Sequence, residues 1–396
     1  MGDQKPALNA LAQHYRHFRV AERLLLTGHS HQAWPDVALE GQREAFDDAA
    51  TYVDEKWPYA FAKAERLRAG VCMLLGDPQG EVALAGSTHD LVIRFLSALD
   101  LRRHPRVVTT DGEFHSLRRQ AARLAEAGLD VVRVRARPVD TLAERLADAV
   151  DGRTSAVLVS AVLFEDSRIV PGLDTLAQAC APGGVELLVD AYHALGVMPY
   201  TLGDRGLESA WIVGGGYKYL QLGEGNCFLR LPPHAAEMRP VITGWYAEFA
   251  DLEHAADPSA VTYPRGAAAF AGSTYDPTSH YRAARVLDFF VEQNLTPQHL
   301  RASYLHQVAL LARAFDALDI PDAVITRDRS VPLEGFGGFL ALHSTHAERL
   351  QRALAQAGVR TDSRGDTLRL GPAPYLSDAQ LETAVECLAA ACAAIR

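Results

Sequence analysis

Three residues in the middle of the chain have types and spacing that could do chemistry. Asp190 closes the apolar run VELLVD, and His193 follows three positions later. Lys218 comes after WIVGGG and lies between Tyr217 and Tyr219. A carboxylate ending a buried strand is costly unless it meets a cation or a strong donor. A protonated ring nitrogen would serve; a helix N-cap aspartate is the plain alternative. An amine flanked by aromatics at a strand end has the lowered pKa that imine formation with an aldehyde needs. The chain holds four lysines, Lys5, Lys56, Lys63 and Lys218. Arginine replaces lysine nearly everywhere else, yet arginine could not form an imine at position 218. A lysine surviving by chance is the competing explanation, and its Gly-rich, aromatic setting favours it less.

An anion seat stands upstream. Gly86-Ser87-Thr88 follows the apolar run Val82–Ala85 and opens a helix expected over Asp90–Leu99. Small residues let the backbone approach an anion, hydroxyls donate, and the helix N-terminus adds partial positive charge. Ser and Thr are also ordinary N-caps. Amine, acid and anion seat together fit pyridoxal 5′-phosphate, an electron sink that depends on an acidic partner at its ring nitrogen.

Composition narrows the class. Hydrophobic residues make up 48%, charged residues 22%, and the formal net charge is -10. This is the balance of an ordinary globular protein, and its acidic field disfavours nucleic acid. The five cysteines form no CxxC pair, so neither a zinc ribbon nor a disulfide framework is expected, and no metal. The N-terminus lacks a signal-peptide core and no apolar run reaches ~18 residues, so the expectation is a cytoplasmic protein without membrane association.

The elements that must position these residues alternate. Apolar runs at Val82–Ala85, Val107–Thr109, Val131–Val134, Ala156–Ser160, Leu187–Asp190 and Ala210–Val213 are mostly separated by helical stretches at Asp90–Leu99, His115–Ala127, Thr141–Val150 and Leu173–Cys180. That rhythm predicts an α/β fold with a mainly parallel sheet covered on both faces, its site at the strands' carboxyl ends. From Pro35 to about Leu75 the pattern is helical. A Pro/Gly/Ala-rich stretch at 255–280 suggests a boundary, followed by helices Thr278–Gln293 and Pro297–Leu318. Short strands (Phe339–Leu342, Thr367–Leu370) and helices (Ala347–Ala357, Asp378–Ile395) then make an α+β end. The expected division is an N-terminal arm, 1–45, a large cofactor-binding domain, 46–275, and a small domain, 276–396.

The order of motifs resembles the fold-type I pyridoxal-phosphate enzymes of the class V aminotransferase group, and within it kynureninase. That family's lysine motif, Ser-Tyr-Lys-Tyr-Leu-Asn-x-Gly-x-Gly, stands here as Gly216-Tyr217-Lys218-Tyr219-Leu220-Gln221-Leu222-Gly223-Glu224-Gly225. Its Asp-x-x-His-x-x-Gly appears as Asp190, His193 and Gly196. The resemblance spans roughly Thr27 to Tyr375 and implies a seven-stranded, mainly parallel sheet with a smaller α+β C-terminal domain. It implies that Lys218 binds the cofactor and moves protons at the substrate α-carbon, with Asp190 on the pyridinium and His193 supporting it. Tyr217, Ser87 and Thr88 would reach the phosphate, Phe114 would stack on the ring, and Ser160 would lie near it. Trp245 and Thr274 match phosphate-region residues that can come from a neighbouring subunit, which implies a homodimer with shared sites. Arg369, in Gly365-Asp366-Thr367-Leu368-Arg369-Leu370-Gly371-Pro372, matches the arginine that grips the substrate α-carboxylate.

Departures cluster on the substrate side. Gly28-His29-Ser30-His31 stands where kynureninases carry Asn-Ser-Leu-Gly, and we read His29, Ser30 and His31 as a loop lining the substrate pocket. Thr274 replaces a family asparagine, and Tyr52 or a neighbour falls where a family histidine touches the aromatic end of kynurenine. The expected activity is hydrolytic cleavage of the Cβ–Cγ bond of kynurenine, 3-hydroxykynurenine or a related amino acid, giving alanine and an aromatic acid. The alternative is a class V aminotransferase or another β-lyase on a small amino acid. Cysteine desulfurase chemistry is disfavoured because 322–343 contains no cysteine to carry the sulfur.

Overall fold

The computed structural model describes residues 9–251 and 261–395. Lys5 and the part of the boundary stretch at 255–260 lie outside the described residues. From the N-terminal side, β1 (Leu24–Leu25) precedes α1 (Val37–Tyr52) and α2 (Trp57–Leu75). There follow β2 (Glu81–Ala85), α3 (Thr88–Ala98), β3 (Arg106–Thr110), α4 (His115–Glu126), β4 (Asp130–Val134), α5 (Leu142–Asp148), β5 (Thr154–Ser160), α6 (Leu173–Cys180) and β6 (Glu186–Asp190). Next come β7 (Trp211–Gly215), β8 (Cys227–Leu231), α7 (Thr278–Glu292) and α8 (Pro297–Asp316). The C-terminal part holds β9 (Thr326–Arg327), β10 (Leu340–His343), α9 (Ala347–Gln356), β11 (Val359–Arg360), β12 (Asp362–Arg364), β13 (Thr367–Leu370) and α10 (Asp378–Ala393).

Seven strands form the large sheet in the order β2-β8-β7-β6-β5-β3-β4. Only β8 runs against its neighbours, pairing antiparallel with both β2 and β7. All seven residues of β5, TSAVLVS, are buried, because helices cover both faces. Alternate residues feed two cores: Val157, Val159, Val189 and Ile212 on one face, and Leu158, Leu188, Trp211 and Val213 on the other. On the second face Trp211 sits edge-on between Phe95 and Phe270, with centroids 5.1 and 5.3 Å away.

The N-terminal arm joins the C-terminal part through parallel pairing of β1 with β11 and a bridge from Thr27 to Gly371. There β12-β13-β10-β9 make an antiparallel sheet. The long helical stretch after Pro35 is broken. Val53 adopts φ 51°, starting a 3₁₀ turn over Val53–Lys56 before α2. Tyr52 stacks on Tyr59 across that turn at 4.4 Å, and Pro58, in the first turn of α2, suits a helix start rather than a helix interior. Among the described residues no helix is long and apolar enough to cross a membrane.

Candidate active site

The carboxyl ends of β2, β3, β5, β6 and β7 and the start of β8 surround one cavity of about 830 Å³, its open mouth included. Ser87, Thr88, Phe114, Ser160, Asp190, His193, Tyr217 and Lys218 all line it. The tertiary fold thus brings together residues spread over more than a hundred positions of sequence.

Lys218 stands in the loop after β7. Backbone bonds from Gln221 N–H to the Lys218 carbonyl (3.1 Å) and from Leu222 N–H to the Gly216 carbonyl (2.9 Å) close this loop. Its amine is buried, 2.8 Å from His193 Nε2, with the rings of Tyr192 and Phe114 centred 4.6 and 4.9 Å away. Burial lowers the amine to about 7, against an opposing pull from the Asp190 carboxylate. His193 is held neutral by burial and by the adjacent amine, and its Nε2 hydrogen-bonds with that amine; among the described residues its Nδ1 is buried without a hydrogen-bond partner. Burial also raises the carboxyl of Asp190, whose Oδ1 accepts the Tyr192 N–H at 2.9 Å.

The Gly86-Ser87-Thr88 turn stands at the start of α3. Ser87 caps α3, its hydroxyl accepting the Asp90 N–H. Among the described residues no heavy atom beyond its chain neighbours lies within 4 Å of where a Cβ on Gly86 would stand, so this glycine opens onto free space. Thr88 points its hydroxyl at Cys227 Sγ, 3.5 Å away. Tyr217 stacks on His31 at 4.7 Å, and burial pushes its phenol up to about 12.

Several expected residues are engaged by other groups of the chain. Ser160 lines the cavity, but its hydroxyl donates to Glu113 Oε2 at 2.6 Å. Arg369 is buried and donates to Asp362 through Nε and Nη2 and to the Phe164 carbonyl through Nη1, and it does not line the cavity. His29, Ser30 and His31 do not line it either. His29 is buried against Asp362, its Nε2 2.8 Å from Oδ1, while Ser30 bonds His31 at 3.2 Å. Trp245 is 42% exposed and packs on Tyr246 and Phe249, while Thr274 lines a neighbouring cleft with Arg68 and Arg94. Neither lines the cavity that holds Lys218 of its own chain. Tyr52 is occupied with Tyr59.

Three residues escaped the sequence reading. Glu113, behind the cavity, accepts from the hydroxyls of Thr110 and Ser160 and from Ser160 N–H. Burial raises its carboxyl to about 7 in spite of those bonds. Tyr192 forms part of the cavity wall. Asp362 faces Arg369 across a hairpin in the register 362↔369, which the Arg364-Gly365-Asp366 turn signal could have shown. No group of three or more metal-ligating side chains occurs among the described residues.

No protein-family model matches the chain, and no curated protein sequence matches it. Solved structures do. A lysine variant of C-DES with glycine covalently linked to its pyridoxal-phosphate cofactor aligns with TM-score 0.80 and 15% identity, covering 95% of this chain and 98% of that one. The apo cysteine desulfurase of Thermococcus onnurineus NA1 aligns with TM-score 0.78 and 16% identity over 98% of both chains. The cystine C–S lyase C-DES in complex with cysteine persulfide aligns with TM-score 0.79 and 16% identity, covering 93% of this chain and 98% of that one. At such identities the likeness establishes architecture: the chain has the fold-type I α/β fold, with its mainly parallel central sheet.

Proposed function

We propose that this chain is a pyridoxal-phosphate-dependent enzyme that breaks a bond at the β-carbon of a small amino acid, with elimination of the β-substituent as the leading reaction. The observation that carries this reading is the buried Lys218 amine, lowered to about 7 and sharing one cavity with Asp190 and the open N-terminus of α3. The residues fit the cofactor: an amine for its aldehyde, a buried carboxylate for its ring nitrogen, free space over Gly86 for its phosphate, and an orphaned ring nitrogen on His193. When bound, the cofactor supplies an electron sink for negative charge at the substrate α-carbon.

The chain's own groups do the rest. Near neutral pH Lys218 has a substantial free-base fraction, so it can take the α-proton and return it. His193 fixes the direction of that amine through the 2.8 Å contact. Loss of the α-proton and of the β-substituent with its bonding electrons, followed by addition of water, yields pyruvate, ammonia and the protonated leaving group. The likeness to a cystine C–S lyase supports elimination. So does the absence of a cysteine in 322–343, because elimination needs no chain thiol to carry sulfur. Trp245 and Thr274, which do not line the Lys218 cavity of their own chain, support a homodimer in which each subunit completes the other's site.

One observation favours a second reading, hydrolysis of kynurenine or 3-hydroxykynurenine. Phe114 packs edge-on against Phe164 at 5.4 Å with His115 5.7 Å from the same ring, an aromatic wall suited to an aromatic substrate. A single experiment separates the readings. The purified protein is incubated without a keto acid, with cystine or with either kynurenine. Pyruvate and ammonia support elimination, alanine with an aromatic acid supports hydrolysis, and turnover only on adding a keto acid points to transamination. A colourless protein in which borohydride fixes no cofactor to Lys218 would sink all three.

A further inference from the structure

We propose that Gln221 is a positioning residue for Lys218, held by Tyr15 and Gln32 of the N-terminal arm, so that the arm sets how the cavity's amine is presented. The inference deepens the pyridoxal-phosphate reading above and rests on it for what that amine does. Gln221 does not line the cavity; it acts through the loop that carries Lys218.

Three consecutive carbonyls around the lysine are pinned. The Gly216 carbonyl accepts from Leu222 N–H at 2.9 Å, and the Lys218 carbonyl accepts from Gln221 N–H at 3.1 Å. The carbonyl between them, on Tyr217, accepts from Gln32 N–H at 3.3 Å, a bond that comes from the arm. Gln221 closes the turn with φ 60°, a left-handed backbone that a residue with a Cβ keeps only where its surroundings hold it.

The surroundings hold it by its side chain. Tyr15 Oη donates to Gln221 Oε1, and Gln221 Nε2 donates to Gln32 Oε1 at 3.0 Å. Gln32 Nε2 donates in turn to Tyr304 Oη on α8 at 2.6 Å and to the Gly28 carbonyl at 3.2 Å. Tyr15, Gln221 and Tyr304 are fully buried and Gln32 nearly so. Each of these bonds is therefore made away from water, and losing one partner strands the other. Gln32 grips the lysine loop twice, by its backbone just before Lys218 and by its side chain just after it. If the four side chains only satisfied one another inside a core, changing them would lower stability and leave Lys218 as it is.

The test compares Y15F, Q221L and Y15F/Q221L with the native chain, each checked for folding by far-UV circular dichroism and by its urea midpoint. None of these changes touches Asp190, His193, Cys227, Asp362 or Arg369, the groups that act on the Lys218 amine. The first readout is trace acetylation of Lys218 by acetic anhydride against pH, followed by mass spectrometry, which needs no cofactor. The second is the rate at which added pyridoxal phosphate becomes fixable by borohydride. A loosened loop lets the amine move toward water. In Y15F and in Q221L the acetylation midpoint should therefore rise from about 7 toward 10.5, by about one pH unit. Fixation at pH 7 should slow about fivefold, the fall in free amine that such a rise brings. Y15F should add nothing in the Q221L background, because its acceptor is already gone. Should Q221L unfold, Q221G, which takes the left-handed backbone without strain, replaces it with the same expectation. A native acetylation midpoint in Y15F and Q221L, with only the urea midpoint lowered, overturns the proposal, as do additive shifts in the double variant. A native chain that acetylates at Lys218 with a midpoint near 7 but fixes no pyridoxal phosphate overturns the function reading alone.

Discussion

Both Nε and Nη2 of Arg369 donate to the carboxylate of Asp362, and His29 Nε2 meets the same Oδ1 at 2.8 Å. The fork that the sequence offers to a substrate carboxylate is thus already held by one from its own hairpin. Burial works against the charge on Asp362, but His29 and Arg369 overcome it and keep its carboxyl well below the usual range. Removing the aspartate leaves the guanidinium buried without its partner. D362A should therefore lose about 3–5 kcal/mol of stability, read from urea midpoints at pH 7. The sign of the pH effect follows: the folded carboxyl binds its proton less tightly than the unfolded one. Its stabilisation is full above the ordinary carboxylate pKa and fades as pH falls below it, so D362A should show a shallower acid transition than the native chain.

Lys218 sets a second expectation. The rate at which added pyridoxal phosphate becomes fixable by borohydride on Lys218 should rise with pH through about 7, not through the ordinary lysine value of 10.5. Asp190 favours the charged amine, so D190N should move that midpoint lower still. A midpoint near 10 in the native chain would contradict the buried setting. Because the folded amine binds its proton more weakly than the unfolded one, its contribution makes stability rise as pH climbs from about 7 toward 10.5.

Glu113 behaves in the opposite sense. Its folded carboxyl, raised to about 7, holds a proton more tightly than when unfolded, so its contribution to stability falls as pH rises from about 4.5 to 7. E113Q keeps an acceptor for Thr110 and Ser160 without the titration. Urea midpoints at pH 5 and pH 8 should lie closer together in E113Q than in the native chain. E113A, which strands the two hydroxyls, should cost about 1–3 kcal/mol at pH 5.

Shared sites can be tested by mixing. K218A chains and W245A/T274A chains should each be inactive or nearly so alone. Refolded together in equal amounts, they should recover about a quarter of native activity, since half the pairs are mixed and each mixed pair holds one complete site. No recovery, with mixed pairs shown to form, would mean that Trp245 and Thr274 act only within their own chain or not at all.

The sheet was legible because its evidence is local. Each run from Val82 to Val213 is apolar and bounded by helix or turn signals, and observed strands match expected ones within one or two residues. The motif around Lys218 and the Asp190–His193 pair could also be read directly, since spacing along a strand end fixes what faces a common edge. The substrate side was harder. His29 and Arg369 carry the right chemistry for a pocket, yet which partner each finds depends on how β12, β13 and the N-terminal arm pack. Gln221 shows the same limit: its φ of 60° is steadied by Tyr15 and by Gln32, contacts about two hundred residues away in sequence.

The sequence by itself determined the architecture and the placing of Lys218, Asp190 and Gly86-Ser87-Thr88 at strand ends, because hydrophobic periodicity and short motifs act over neighbouring residues. Only the tertiary structure decided which charges are spent inside the protein and which remain for a ligand. It paired Arg369 with Asp362, turned Ser160 toward Glu113, and tied Gln221 to Tyr15 and Gln32. The physical reason is desolvation. A buried polar group takes whatever partner the packing brings within about 3 Å, and that choice is made between elements distant along the chain.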